Sequence, residues 1–184
     1  MAEYIDLAHQ GALTGRRLVV RWSPADAVAA GIEQVLAQGF ARRDADLAER
    51  LHAEGSAWVA GAAEIGEKRR SWRRGLIADI VEEVLPIDLI PGLRRTAAPT
   101  LVVVAARPLP DGTTEVLLMP HASRTGDPEA AFGAAPRVRA AADGLVEAAR
   151  AAGALVAVDR RTLGVADPDC PASRKAAKRL LGWK

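Results

Sequence analysis

A chain of 184 residues with 49% hydrophobic and 26% charged content has the size and make-up of a folded domain that needs neither disulfides nor a structural metal. Its formal net charge is +2, divided as −1 over residues 1–96 and +3 over residues 97–184, well short of the basic excess of a dedicated nucleic-acid binder. The single cysteine, Cys170, excludes an intramolecular disulfide framework and any multi-cysteine metal site.

Alanine contributes 39 residues against 2 Phe and 1 Tyr, which favours helix and gives a core of small side chains. Arginine outnumbers lysine 21 to 4. The guanidinium fork suits phosphate and carboxylate groups, yet Ala, Arg, Gly and Pro rise together when codons are rich in G and C, and that bias accounts for the excess. The start MAEYIDLAHQ lacks the basic and apolar regions of a secretory signal. No apolar run approaches the roughly 20 residues that cross a bilayer. The expectation is a cytoplasmic protein, with peripheral membrane attachment as the alternative.

In chain order, RRLVVRW at residues 16–22 is a short β-prone run. Ser23 then offers an N-cap, with Pro24 in the first turn and Asp26 three residues after the cap, so a helix is predicted over about 24–38. Asp44 and Asp46 suit the positive end of a second helix. Leu47, Leu51, Trp58, Ala62, Ile65, Trp72, Leu76 and Ile80 continue a stripe at steps of three, four or seven. This predicts one long broken helix or a pair, over about 44–66 and 69–85. Pro86 ends it, and PIDLIPGLRRTAAP reads as a linker.

Beyond the linker, TLVVVAARP and EVLLMPH flank a Pro-Asp-Gly turn and predict a hairpin whose apolar runs need a covered face. A short helical turn is expected at Asp127, then a longer helix from Pro136 closed by Gly153. A third strand is expected over 154–160 and a basic helix over about 172–181. The predicted fold class is therefore α+β: a helical N-terminal half (residues 1–95), then a small three-stranded mixed sheet with two helices in the order β-β-α-β-α (residues 96–184).

The sharpest constellation is EKRRSWRRGLIADIVEEVL, residues 67–85. Its bases precede its acids, against the preference of the helix dipole. Arg69, Arg70, Trp72, Arg73, Arg74, Leu76, Ile80 and Val84 are the candidate interaction residues. An amphipathic face of this kind suits a protein partner or a second copy of the chain, or a membrane surface; its bland alternative is a solvated cluster beside an ordinary core face. A nucleic-acid partner ranks below these. The C-terminal SRKAAKRLLGWK has the bases and aromatic for phosphate contact, but bases in a last helical turn also suit the dipole.

Catalytic candidates are Cys170, His121 and Asp159. Cys170 precedes the last helix, where a thiol's pKa can fall, although Asp167 and Asp169 oppose this. A parallel crossover from the second hairpin strand to the third strand brings His121 and Asp159 to one sheet edge, where ligands collect in α/β sheets. The bland readings are a plain loop histidine and a small buried thiol. No phosphate loop, HExxH, GxSxG or CxxC sequence is present, so no cofactor and no metal are expected. The leading functional expectation is a non-catalytic interaction or assembly module. A membrane-surface adaptor and a small enzyme at the His121–Cys170 edge are the alternatives.

Overall fold

The computed structural model describes residues 4–6, 15–43, 46–65, 100–122, 134–159, 163–165 and 169–182. In chain order its elements are β1 (Tyr4–Asp6), β2 (Arg16–Val20), α1 (Pro24–Ala37), β3 (Ala41–Arg43), α2 (Leu47–Ala53), β4 (Val59–Ile65), β5 (Thr100–Pro108), β6 (Thr114–Ala122), α3 (Ala135–Ala151), β7 (Leu155–Asp159), β8 (Leu163–Val165) and α4 (Arg174–Leu181). Six strands form one sheet in the order β3-β4-β5-β6-β2-β7, antiparallel at every pairing, while β1 and β8 pair separately.

This overturns the expected fold class. The sheet has six strands rather than three, and β2, β3 and β4 from the first part of the chain pair into it, so the N-terminal half is not helical. The error lies in the stripe over 44–66. Leu47 and Leu51 are helical neighbours, but α2 ends at Ala53 and Gly55 takes φ +69, a backbone that glycine adopts freely. Trp58, Ala60 and Ala62 then bury one face of a strand. A spacing of four, as from Trp58 to Ala62, fits a helical face and a strand face equally well, because four is also an even number of strand steps. The proposed helix at 69–85, the linker after Pro86 and the turn at Asp127 lie outside the described residues.

The other signals meet their elements. Ser23 caps α1 by accepting from the Asp26 amide at 3.2 Å and donating to its carboxylate at 2.6 Å. The β5–β6 turn is closed by the Leu109 amide donating to the Thr113 carbonyl at 2.7 Å. Asp111 accepts from the Thr113 amide at 3.0 Å, and its carboxyl is held below its ordinary range chiefly by the Thr113 hydroxyl. The hairpin strands are continuously apolar because helices cover both faces. On one face α1 and α3 bury Ile32, Val35, Val138 and Leu145 over Leu18, Val102, Val104 and Leu118. On the other, α2 and α4 bury Leu47, Leu51, Leu180 and Leu181 over Leu101, Val103, Leu117 and Met119. Each such Leu, Ile or Val contributes about 1.5–3 kcal/mol. Close approach is needed where α1 crosses the sheet: a Cβ at Gly31 would sit 2.6 Å from Val104 Cγ1, and one at Gly61 2.8 Å from Ile32 Cγ1.

Candidate functional site

Arg69, Arg70, Trp72, Arg73, Arg74, Leu76, Ile80 and Val84 all lie outside the described residues. The three catalytic candidates lie inside them, and the fold joins only two. The chain leaves β6, passes through α3 and returns as β7, parallel to β6 but with β2 between them. Through Arg17, Asp159 stands level with Leu117, four residues short of His121. That separates the two side chains by about 13 Å along the strands and about 10 Å across them. His121 and Cys170, by contrast, share the sheet face that α4 covers.

Cys170 is fully buried among Leu101, Leu117 and Ala176 of the core beneath α4, so a solute has no path to its sulfur in the folded state. His121 pairs in register with Leu101. The Ala172 carbonyl lies within hydrogen-bonding reach of its imidazole, whereas Nε2 is buried with no partner. Burial pushes its pKa down to about 4, the neighbouring Arg174 adds to the fall, and the Ala172 carbonyl acts against it. This placement fastens the turn before α4 to the sheet through a neutral imidazole, on the same sheet face as a thiol closed to solvent. It corrects the loop assignment of His121, which belongs to β6.

Sequence reasoning missed a second buried polar group on this face. Glu115 is 1% exposed and accepts from Arg17 Nε at 2.6 Å and from Arg107 Nε at 2.8 Å. The Arg107 guanidinium also lies 4.6 Å above the Trp58 ring. A carboxylate inside the run TTEVLL was the available signal, since a buried acid needs cationic partners. Next to it, a shallow groove of about 360 Å³, open to solvent, is lined by Arg17, Val19, Ala157, Val158 and Asp159.

The outward face of α4 carries only basic side chains. Ala176, Ala177, Leu180 and Leu181 are buried, and the four remaining positions, Arg174, Lys175, Lys178 and Arg179, are all exposed bases. Ser173 caps the helix by accepting from the Ala176 amide at 3.1 Å. This fixes Arg174 and Lys175 in the first turn, which contains no acid. The dipole explanation for the C-terminal bases therefore fails for these two, since cations there cost about 0.3–1 kcal/mol each. Both i,i+4 pairs, Arg174 with Lys178 and Lys175 with Arg179, also repel.

The far end of the helix gathers more cations. Arg43 Nη2 donates to the Leu181 carbonyl at 2.7 Å and Arg50 Nη2 to the Leu180 carbonyl at 3.1 Å. Arg16, Arg17, Arg43, Arg107 and Arg150 are ion-paired with acids elsewhere. Of the α4 bases, Arg179 meets Glu54 at 3.4 Å in an exposed pair. Arg174, Lys175 and Lys178 have no acidic partner among the described residues.

Among the described residues no group of three or more His, Cys, Asp or Glu side chains is placed to hold a metal ion, and no helix is long and apolar enough to cross a membrane. No protein-family model, curated protein or solved structure matches this chain.

Proposed function

We propose that this protein is a non-catalytic interaction module that engages an acidic protein partner through the outward face of α4. The carrying observation is the trio Arg174, Lys175 and Lys178 on one exposed helix face, without an acidic partner among the described residues, two of them at the helix end where a cation is least favourable. Charge kept at a cost to the helix is accounted for by an anionic surface outside the molecule. The apolar side of α4 is already spent on the core, so the helix has nothing to insert into a bilayer, which favours a protein over a lipid surface. The segment containing Arg69, Arg70, Trp72, Arg73, Arg74, Leu76, Ile80 and Val84 joins this proposal as a second contact region on its sequence alone. A cytoplasmic location goes with it.

Binding of a fluorescent Glu/Asp-rich peptide, followed by anisotropy at low and physiological salt, tests the reading. The expected result is weak, salt-sensitive binding that the double variant R174E/K178E lowers by tenfold or more, the order of magnitude for reversing two exposed charges. Equal binding by that variant, or binding only to a DNA duplex or to phosphatidylserine vesicles, sinks the acidic-protein reading. Light scattering across a concentration series identifies the partner as a second copy if mass grows with concentration.

A further inference from the structure

We propose that His121 is an acid-sensitive latch for α4, so that protonating its imidazole releases residues 170–181 from the sheet. The inference rests on α4 being the docking helix, because the latch then controls whether the basic face is presented in fixed form.

The neutral ring suits its place. One N–H suffices for the Ala172 carbonyl, and the buried Nε2 then carries only an unmet lone pair. A charged ring has a second N–H, at an atom closed to solvent and without an acceptor among the described residues, and an unmet donor there disfavours the docked state. Among the described residues the groups around the ring offer it no carboxylate partner. Leu101 across the ladder and Met119 on the same strand face are apolar. The turn before α4 contributes the buried Cys170 thiol and Asp169, which is exposed. The helix contributes only cations, Arg174, Lys175, Lys178 and Arg179, of which Arg174 acts on the ring.

Since the folded pKa lies below the ordinary 6.5, at about 4, the docked state binds the proton less tightly than the released state. Docking is at full strength above pH 6.5 and weakens as pH falls towards 4. From those two values the released-to-docked ratio rises roughly 30-fold between about pH 7.5 and about pH 5.

The test is amide hydrogen exchange on the full chain at those two pH values, corrected for intrinsic exchange rates. Protection of Ala176 and Ala177 in α4 should fall roughly 30-fold, while that of Val102–Val104 in β5 holds. In His121→Gln, which keeps a neutral donor for the Ala172 carbonyl, the fall should vanish; an undiminished fall overturns the latch. Should that variant not fold, the imidazole of the unaltered protein is titrated by NMR. A ring that stays neutral until α4 loses protection supports the latch. One that titrates near pH 6.5 with α4 still protected overturns it. Failure of acidic-peptide binding at neutral pH, where the latch is closed, bears on the docking surface alone.

Discussion

Arg107 and Glu115 stand directly opposite each other on β5 and β6, and their side chains close a 2.8 Å ion pair on the sheet face that also buries Trp58. Arg17, arriving from β2, takes the second carboxylate oxygen at 2.6 Å. One acid thus ties three neighbouring strands, and its removal leaves two guanidinium groups facing each other across the space it filled. Glu115→Ala is expected to cost about 1.5–3 kcal/mol, read as a lower urea midpoint with an unchanged slope. A loss under about 1 kcal/mol shows that the triad adds little to stability.

The contact between α1 and the sheet predicts a coupled pair. Gly31→Ala gains about 1 kcal/mol of helix propensity, but its new methyl collides with Val104 Cγ1 inside a filled core, at about 1–3 kcal/mol. The single variant should be destabilised or neutral. Val104→Ala alone costs the lost side chain, and the double variant should be more stable than the sum of the two by about 1 kcal/mol. Simple additivity, measured by denaturant unfolding, rules out the close approach.

Cys170 is expected to resist alkylation in the folded protein, because it is fully buried within the core beneath α4. Iodoacetamide labelling at mildly alkaline pH should be at least about a hundredfold slower than in urea, the rate following local opening of α4. Rapid stoichiometric labelling of the native chain contradicts this enclosure and revives a reactive-thiol reading.

Ser173→Ala removes the hydroxyl that accepts from the Ala176 amide in a buried position. The expected loss is about 1 kcal/mol, concentrated in α4, so exchange protection of Ala176 and Ala177 should fall before that of the strands. An equal fall everywhere indicates that α4 opens only with the whole molecule.

Local signals survived into the structure where they depend on neighbours in sequence. Ser23-Pro24 with Asp26 starts α1, Pro136 opens the body of α3, the Asp111-Gly112 turn joins β5 to β6, and Leu155–Asp159 forms the third strand of the second half. The basic C-terminal helix was legible, but its start was not. Arg174 and Lys175 fall in the first turn whether the helix starts at 172 or at Arg174, so the dipole argument for bases in the last turn covers only Lys178 and Arg179.

Chain composition, the lone cysteine and the capping and turn chemistry were determined by the sequence by itself, because each depends on residues a few positions apart. Tertiary structure alone decided that β2 enters between β6 and β7, that Glu115 meets arginines 98 and 8 residues away, and that His121 lies against the turn before α4. Strand partners are chosen by burial and pairing between distant segments, and an even spacing of apolar residues allows both helix and strand until those partners are in place.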